Sequence, residues 1–511
     1  MPTLFFIVQG LAVFVAALVA VRALDSQRRR RGLPYPPGPK GLPIIGSILD
    51  VPKTTPWITY ARWAETYGDI LSLQLLGKTL VVLQSQKAIK DLLIDRRAIY
   101  LDRPRIPFFE LAGWNWVLAT ARGTEAWRVE RRAVDRSLGP AAILQYQPMQ
   151  KQKTHEFLKR LLLKPRNFLD DITDLPGSVI MSLVYGYDIS EGEDQYLDKA
   201  KEFNNLVPEL VQPGALLVND LPFLKALPEW LPGMGFKKLA RDGHKLAEEA
   251  INGPIAFVKA AMEQGTARPS MAAESLPHCQ SEEDERHTTT ALGSIYTAGA
   301  DTTASTLSSF FLMLVLYPEV QKRAQAEIDA VTGGTALPDF GDRAHLPYVE
   351  ALCKELHRWR MVGPTGLPHA SIKDDVYEGY FIPKGSIVVA NAWAILHDPE
   401  LYPDPEVFRP ERFLTSDGQP KDDPMLSMAF GFGGRICPGR HIVDAMLFIV
   451  VASVLSAFNV GVPKDAEGKD IPVADNYVGN ALSKPAPFEC SIVPRNSKVE
   501  ELILMNVADE Q

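Results

Sequence analysis

The chain has 511 residues, of which 46% are hydrophobic and 23% charged, a composition typical of globular and not of disordered proteins. Its formal net charge is −8, and this acidic balance argues against general nucleic-acid binding. The four cysteines lie far apart and form no CxxC pair, which excludes a disulfide-rich secreted protein and disfavours a zinc site with paired cysteines.

The N-terminal segment over residues 4–24 is almost wholly apolar, and Gln9 is its only strongly polar residue before Arg22. At about 1.5 Å per residue it would form a helix of roughly 30 Å, long enough to cross the hydrocarbon core of a bilayer. The basic run QRRRR follows at residues 27–31, and positive charge after a span places that side in the cytosol. A cleaved signal peptide would carry its positive charge before the apolar run. We therefore predict an uncleaved transmembrane anchor over residues 1–24.

A segment rich in proline and glycine follows, LPYPPGPKGLPIIG over residues 33–46. Proline removes a backbone donor and favours extended backbone, so this segment is predicted to be stiff and to space the body from the membrane. The sequence thus predicts a linker over residues 25–46 and one larger domain over residues 47–511.

Helical patterns dominate the body, and strands are few. Alternation over residues 70–83, broken at Gly77-Lys78, predicts a hairpin, and residues 376–390 return to strands with a turn at residues 383–385. Residues 154–264 are mostly helical, with breaks predicted at Pro176-Gly177 and Pro213-Gly214. The other long helices are predicted over residues 123–138, 286–316, 318–332, 348–359 and 439–458. The predicted fold class is mainly α with a small β region. The sequence contains no GxGxxG motif, so it shows no obvious nucleotide-binding unit.

Three polar patterns lie on these helices. Trp127 and Arg131 in WRVERR are four residues apart and share a face, and Arg128 and Arg132 form a neighbouring basic stripe. AGADTT, residues 298–303, places an acid beside a threonine in an apolar helix. ELHR, residues 355–358, places a carboxylate and a guanidinium on one helix face, which is ordinarily a surface ion pair of little energetic value.

The segment FGFGGRICPGR, residues 430–440, is the most specific pattern in the chain. Its glycines let the backbone take positive φ and pass close to a flat ligand, and Cys437 emerges just before an apolar helix. Amide donors and the helix dipole stabilise a thiolate at such a position. The complete F-x-x-G-x-R-x-C-x-G pattern resembles the haem-binding signature of the cytochrome P-450 family, and the other patterns occur in the family's order. The resemblance covers essentially the whole chain after the anchor.

This resemblance implies the cytochrome P-450 fold and one haem b whose iron is bound by Cys437. It places further residues against the haem: Trp127, Arg131, Ala298, Gly299, His369, Phe430, Gly433, Arg435 and Gly439. Of these, Trp127, Arg131, His369 and Arg435 would reach the propionates, although His369 could be an ordinary strand histidine. Asp301 and Thr302 would deliver protons for the activation of O2, with a polar kink without catalytic purpose as the alternative.

The resemblance also implies that Glu355, Arg358 and Arg412 form a buried structural triad. The stripe of Arg128 and Arg132 has two open interpretations, a solvated helix face or a docking site for an acidic flavoprotein. Gly299 costs stability inside a helix, and space over the haem is a functional reason to tolerate it.

The implied function is a haem-thiolate monooxygenase of the endoplasmic reticulum membrane that inserts one oxygen atom from O2 into a small molecule. The chain has no flavin or iron–sulfur module, so electrons from NADPH would arrive through a separate NADPH-cytochrome reductase, a flavoprotein; membrane lipid is the other expected contact, and nucleic acid is not expected. One rival is a haem-thiolate isomerase or dehydratase that consumes a peroxide, which the intact Asp301-Thr302 pair disfavours. Another is a non-enzymatic haem sensor or electron carrier.

Residues 375–414 resemble fungal microsomal members that tailor secondary metabolites, in the O-methylsterigmatocystin oxidoreductase-like group. The family's pocket segments would fall near residues 106–118, 206–218, the helix of Ala298 and residues 361–367. Aromatic and aliphatic residues dominate there, which implies an apolar substrate such as a terpenoid, a polyketide or an indole.

Overall fold

The computed structural model describes residues 24–25, 27–189, 194–210 and 216–510. The predicted anchor over residues 1–24 lies, apart from Leu24, outside the described residues, as does the predicted break at Pro213-Gly214. The division into anchor, linker and domain therefore stays a prediction. The chain separates into two compact units. The first contains the described part of residues 1–52, Ile58–Pro104 and Pro368–Asn391, and the second contains Lys53–Trp57, Arg105–Leu367 and Ala392–Gln511.

The first unit is built on a small sheet. It contains most of helix α1 (Pro56–Tyr67) and the strands β1 (Ile70–Leu75), β2 (Lys78–Leu83), β3 (His369–Ala370), β4 (Asp375–Tyr377), β5 (Tyr380–Ile382) and β6 (Ile387–Ala390). Short helical turns cover Gln86–Ile89, Lys90–Asp95 and Arg97–Tyr100. The sheet order is β1-β2-β6-β3, with β2 and β6 parallel, and β4 pairs with β5. The predicted hairpin over residues 70–83 is confirmed as β1 and β2, and residues 376–390 form strands with the predicted turn between β5 and β6. Gly77 and Gly385 in the two turns have positive φ.

The Pro/Gly-rich segment is extended, as predicted, but it lies against β1. The Ser72 amide donates to the Pro37 carbonyl at 2.7 Å, and the Ser72 hydroxyl donates to the Pro36 carbonyl at 2.7 Å. A Cβ at Gly38 would lie 2.0 Å from the Ser72 carbonyl oxygen, so only glycine allows this approach. Residues 36–38 therefore pack on the first unit, and the function of the segment as a spacer from the membrane stays a prediction.

The second unit is mainly helical. Its long helices are α2 (Glu125–Ser137), α3 (Gln147–Leu163), α4 (Phe168–Tyr185), α5 (Gln195–Leu210), α6 (Phe236–Glu263), α7 (Glu282–Leu316), α8 (Pro318–Thr332), α9 (Pro347–Trp359), α10 (Arg440–Ala457) and α11 (Ser497–Asp509). Shorter helices cover Pro107–Ala112, Leu217–Asp220, Met271–Ser275 and Ala392–Leu396, and the strands are β7 (Phe458–Gly461), β8 (Tyr477–Val478), β9 (Lys484–Pro485) and β10 (Ser491–Pro494). β10 pairs with β7, and β8 pairs with β9.

Capping residues explain where the helices that carry the site begin. The Thr124 hydroxyl accepts the Trp127 amide at the start of α2, and the Ser281 hydroxyl accepts the Asp284 amide at the start of α7. Helix α8 begins at Pro318 and ends before Gly333, whose φ is +64°. These boundaries agree with the predicted helices to within a few residues.

The predicted break at Pro176-Gly177 is wrong, because α4 continues through both residues. A proline inside a helix removes one hydrogen bond and costs about 3 kcal/mol in an exposed helix. Helix α4 is buried over most of its length, and its apolar packing offsets this cost. A Cβ at Gly177 would lie 2.6 Å from Leu197 Cδ1, so the glycine also allows α5 to approach closely.

Helix α7 forms the centre of the core in the second unit. Phe310 and Phe311 are fully buried, and Phe311 packs against Phe168 of α4 with ring centroids 5.7 Å apart. Helices α7 and α10 are long and apolar enough to cross a membrane by length and composition alone. However, 72% and 78% of their most apolar windows are buried within the protein. Their apolar character is thus accounted for by their position in the core.

Candidate active site

A glycine-containing loop carries Cys437 to the N-terminus of α10. Gly431 and Gly433 have φ of +93° and +52°, so both take the left-handed conformation predicted for this loop, whereas Gly434 does not. The Cys437 amide donates to the Phe430 carbonyl at 2.7 Å and closes the loop. The cysteine is thereby fixed just before the first turn of the helix.

The Cys437 sulfur is surrounded by groups that stabilise a thiolate. The backbone amides of Gly439 and Arg440 hydrogen-bond to it, and the guanidinium groups of Arg131 and Arg440 add positive charge. Burial has the largest influence and raises the pKa of the free thiol, because a low dielectric disfavours the charged form. A bound metal ion reverses that preference by displacing the thiol proton. These residues therefore fit a haem held through Cys437.

Trp127 and Arg435 come together beside the cysteine loop. The Arg435 guanidinium carbon lies 3.7 Å from the centre of the Trp127 ring. The Trp127 indole and Arg435 both donate to the Leu118 carbonyl, at 3.1 Å and 3.4 Å. Both side chains are buried, so the stacked pair holds the positive charge of Arg435 in a fixed position.

Arg131 points differently from Trp127, although the two share a helix face. Its guanidinium donates to the Ile436 carbonyl at 2.6 Å and to the Asp135 carboxylate at 2.9 Å. Arg131 is thus placed against the cysteine loop, next to the predicted ligand. Its role toward a propionate stays a prediction.

His369 belongs to the first unit, where it begins β3. It is buried, and its Nδ1 lies 2.8 Å from the Tyr100 carbonyl oxygen. Because a carbonyl only accepts hydrogen bonds, Nδ1 carries a proton here. Contact of His369 with a propionate stays a prediction.

Ala298 and Gly299 lie near the middle of α7 and have different surroundings. Ala298 is exposed although the seven residues before it are buried, so open space adjoins the helix at this point. A Cβ at Gly299 would lie 2.8 Å from Ile180 Cγ1 of α4. The glycine is therefore required for close packing of α4 on α7, a reason that differs from the space over a haem suggested by the sequence.

Asp301 and Thr302 follow on the same helix. The Thr302 hydroxyl donates to the Ala298 carbonyl at 3.0 Å, one turn earlier in the helix. Burial raises the pKa of the Asp301 carboxyl, whereas the charges of Lys484 and Lys201 and a hydrogen bond from Asn204 act in the opposite direction. The acid is thus part-buried but has polar partners, as a proton-transfer group requires.

The predicted structural triad is confirmed. Glu355 and Arg358 are fully buried and form two hydrogen bonds of 2.6 Å and 2.8 Å. The Nε atom of Arg412 lies 3.4 Å from Glu355, and the Arg409 amide donates to the same carboxylate oxygen at 2.9 Å. Arg358 also donates to the Leu396 and Pro405 carbonyls, so the triad fixes the chain that leads toward the cysteine loop.

The first predicted pocket segment is largely core. Trp114 is fully buried and meets Phe109 and Phe203 edge-on, at centroid distances of 5.3 Å and 4.8 Å. Its indole donates to the Gly243 carbonyl at 2.9 Å. Several aromatic side chains of residues 106–118 therefore pack on each other, and their apolar character alone is weak evidence for an apolar ligand.

The basic stripe on α2 is exposed. The Arg128 side chain lies 2.9 Å from Glu125, and that of Arg132 lies 3.6 Å from the same carboxylate. Part of the positive charge is therefore balanced locally, which leaves both interpretations of the stripe open.

Sequence reasoning missed the polar neighbours of Asp301. Asn204 comes from α5 and Lys484 from β9, and neither belongs to a motif or a periodic pattern. No local signal identifies such residues, because only the packing of distant segments brings them to the acid.

The comparisons with known proteins agree with this geometry. The family model for cytochrome P450 matches residues 36–490. The chain is 41% identical over 507 residues to cytochrome P450 monooxygenase 208 of Postia placenta, with 98% of both chains covered. It is 40% identical to cytochrome P450 monooxygenase claR of Ampulloclitocybe clavipes, over 93% of this chain and 89% of that protein. It is 37% identical to tryptamine 4-monooxygenase of Psilocybe cyanescens, over 92% of this chain and 95% of that protein.

Matches of this extent cover both compact units and include the cysteine loop, α7 and the triad. The similar proteins are named as monooxygenases, which are oxidoreductases that use molecular oxygen. The chain therefore belongs to the cytochrome P450 family and is a cytochrome P450 monooxygenase.

Proposed function

We propose that this monooxygenase inserts one oxygen atom from O2 into a small molecule of fungal secondary metabolism, with electrons from NADPH delivered by a separate reductase. The observation that carries the proposal is the Cys437 sulfur, which receives two backbone amides at the start of α10 while Asp301 and Thr302 lie in α7 of the same unit. A haem b bound through a thiolate supplies the chemistry that activates O2.

The residues of this chain hold that group and manage protons. Cys437 would be the iron ligand, and its amide donors and the nearby guanidinium of Arg131 would support the thiolate that the bound metal ion favours, because they oppose the effect of burial on the pKa of the thiol. The rigid pair of Trp127 and Arg435 would bind propionates, with Arg131 and His369 as further partners. Ala298, Gly299, Phe430, Gly433 and Gly439 would lie against the ring.

Protons would reach the reaction through Asp301 and Thr302. Cleavage of O2 consumes protons. In an apolar site these protons can arrive only through a few suitably placed hydroxyl groups, carboxyl groups and water molecules. Thr302 keeps its hydroxyl oxygen on the helix by donating to Ala298, and its lone pairs stay available to accept a further hydrogen bond. Asp301 is one residue away and is the nearest titratable group along the helix.

The substrate class is proposed from similarity and from the remaining apolar segments. Leu206 and Val207 of α5 pack beside the Trp114 cluster, and Val117 and Leu118 follow it in the chain. These residues favour a ligand with an extended apolar surface, such as a terpenoid, polyketide or indole. One similar protein is named for its action on tryptamine, which contains an indole ring.

We further propose that the protein is bound to the endoplasmic reticulum membrane by a single anchor over residues 1–24, with its catalytic body in the cytosol. Supporting this location, Leu217, Phe223 and Trp230 are exposed to 61%, 63% and 80% within one described stretch of the second unit. Exposed aromatic and aliphatic side chains of this kind suit the interface of a bilayer. The linker over residues 25–46 and the catalytic domain over residues 47–511 complete the proposed organisation.

The proposal is tested with purified full-length protein, a fungal NADPH-cytochrome reductase and a panel of terpenoids, polyketides and indoles. NADPH oxidation that depends on substrate, with one labelled oxygen atom from ¹⁸O₂ in the product, is the expected result. Turnover of a peroxide substrate without NADPH would establish the isomerase or dehydratase alternative. Absence of substrate-dependent oxidation across the panel, with the haem fully bound, would overturn the proposed substrate class.

A further inference from the structure

Ser294 is a buried residue of α7 that bonds to the chain preceding α2. Its hydroxyl accepts the Leu118 amide at 3.1 Å and donates to the Trp116 carbonyl at 3.2 Å. A serine hydroxyl has one proton and two lone pairs, so it can donate one hydrogen bond and accept another at the same time. Ser294 therefore joins α7 to residues 116–118 by two hydrogen bonds.

The chain around Leu118 has no regular structure of its own. Residues 113–121 form turns and bends between the short helix Pro107–Ala112 and α2. Leu118 is buried in this segment, and a buried backbone amide without an acceptor is costly. The Ser294 hydroxyl is the acceptor of the Leu118 amide, so the position of this residue depends on a side chain of α7.

Leu118 in turn contacts the stacked pair beside the cysteine loop. Its carbonyl accepts the Trp127 indole at 3.1 Å and the Arg435 guanidinium at 3.4 Å. Its amide and its carbonyl belong to one residue, so the bond to Ser294 and the bonds to the pair share the same short piece of backbone. A shift of Leu118 would therefore change the orientation of both Trp127 and Arg435.

Helix α2 is bound to the same face of α7. The buried Glu130 carboxylate of α2 lies 2.9 Å from His287 Nδ1 and 3.0 Å from the Thr290 hydroxyl oxygen. Residues three, four and seven positions apart share a helix face, so His287, Thr290 and Ser294 form one polar stripe on α7. This stripe holds both α2 and the chain that precedes it.

We propose that Ser294 is a positioning residue for haem binding, and that it fixes the Leu118 carbonyl, which orients Trp127 and Arg435. This inference rests on the proposed contact of Trp127 and Arg435 with the propionates. A cation that is already held in place loses little entropy when it binds an anion, so a fixed carbonyl favours retention of the haem. Removal of the Ser294 hydroxyl leaves the Leu118 amide without its acceptor and releases this piece of backbone.

The test uses Ser294→Ala in the full-length protein with bound haem, since alanine removes the hydroxyl and little volume. The rate at which haem passes to an excess of apoglobin measures retention without any turnover. This rate should rise by roughly tenfold, the scale for loss of one hydrogen bond to a buried group. Ser178→Ala is the matched control, because Ser178 is also buried and its hydroxyl donates within its own helix, to the Leu175 carbonyl at 2.8 Å. It should release haem at the wild-type rate.

Ser294→Thr keeps the hydroxyl and separates the effect of its hydrogen bonds from that of packing. It should retain haem nearly as long as the wild type does. The Tm of every variant is measured in parallel, so that a general loss of stability is recognised. A threonine variant with the wild-type Tm that releases haem as fast as Ser294→Ala would overturn the inference.

A double variant shows whether Ser294 acts through the stacked pair. Trp127→Leu removes the indole donor and the ring beneath Arg435. In this background Ser294→Ala should accelerate haem release by a smaller factor than it does alone, because part of what it positions is already lost. Equal factors in the two backgrounds would mean that Ser294 acts independently of the pair, which contradicts the inference.

Single variants of the pair separate this inference from the proposed function. If Trp127→Leu and Arg435→Leu both retain haem as long as the wild type, the proposed propionate contacts are wrong, and the inference is wrong with them. If these two variants release haem faster but Ser294→Ala does not, the propionate contacts are supported and the positioning role of Ser294 is overturned.

Discussion

The guanidinium of Arg435 stacks on the indole of Trp127, with its central carbon 3.7 Å from the ring centre. The two residues lie far apart in sequence, and both are buried and bonded to the carbonyl of Leu118. A cation over a desolvated aromatic ring is stabilised by about 2 kcal/mol. Arg435 is therefore fixed in orientation before any anionic group binds to it.

Trp127→Leu should lower the amount of haem retained per protein, because it removes both the ring and the indole donor that orient Arg435. Trp127→Phe keeps a ring for the cation and should retain more haem than leucine does. The ratio of haem to protein after gel filtration measures the effect. Equal haem content in the leucine variant and the wild type would show that Arg435 needs no aromatic support.

Cys437→Ser should abolish thiolate ligation while leaving the fold intact. The reduced, CO-bound wild type should show the red-shifted Soret band of a thiolate-bound haem, and the serine variant should lack it. Cys279→Ser is the matched control, since Cys279 is half-exposed, in another part of the second unit. A wild type with a spectrum of the histidine-ligated kind contradicts the assignment of Cys437.

Thr302→Ala should keep the haem and uncouple the reaction. Product formation should fall by roughly 10²-fold, the scale for losing a positioned proton-transfer group, while NADPH oxidation continues and hydrogen peroxide rises. Product per NADPH and peroxide are measured together. Thr303→Val is the control, because Thr303 makes the same kind of bond, to the Gly299 carbonyl at 3.0 Å, on a buried face. Unchanged coupling in Thr302→Ala would mean that protons arrive by another route.

Reversing the charges of Arg128 and Arg132 together should raise the apparent KM for the reductase several-fold and weaken its salt dependence. Haem content should not change, because both side chains are exposed, at 53% and 65%. The control reverses Arg241 and Lys245 of α6, which have the same spacing and similar exposure. Identical reductase kinetics for both double variants at low ionic strength would show that the stripe is only a solvated face.

Glu355→Gln should strongly reduce the yield of folded protein, because it leaves the guanidinium of Arg358 buried without its anion. Breaking a buried ion pair in this way costs about 3–5 kcal/mol. The exposed pair of Arg323 and Glu411 is the control, and Glu411→Gln should change stability little. The midpoint of denaturant unfolding and the haem content decide between these outcomes. A Glu355→Gln protein as stable as the wild type would show that the triad is dispensable.

Local signals in the sequence were sufficient where a boundary depends on nearby residues. Pro318 and Gly333 delimit α8 as predicted, since proline favours a first helical turn and glycine takes the left-handed conformation that ends one. The break predicted at Pro176 was wrong because the outcome there depends on residues that are distant in sequence. The cost of this proline is local, but the burial of α4 that offsets it depends on helices distant in sequence.

The site was predictable to the extent that it follows motifs. The cysteine loop and the Glu355–Arg358 pair have fixed spacing. In the structure the Cys437 amide closes the loop on the Phe430 carbonyl, and Glu355 and Arg358 form the buried pair. Gly299 could not be interpreted from sequence, because open space and close packing against Ile180 both demand glycine. Asn204 was invisible for a related reason, since nothing in α5 indicates which residue of α7 it faces.

The bonds from Ser72 to the carbonyls of Pro36 and Pro37 limit the freedom of the first unit beneath a bilayer. If residues 1–24 are inserted in the membrane, only about 12 residues connect the lipid to Pro36. This segment spans at most about 40 Å when it is fully extended. Residues 27–30 are helical and shorten it further. A catalytic body on so short a connection would stay in a thin layer at the membrane surface, where apolar compounds concentrate. It would meet other membrane-bound proteins by lateral diffusion. An insertion between residues 31 and 36 would therefore let the catalytic body move farther from the membrane surface, where the concentration of an apolar substrate is lower.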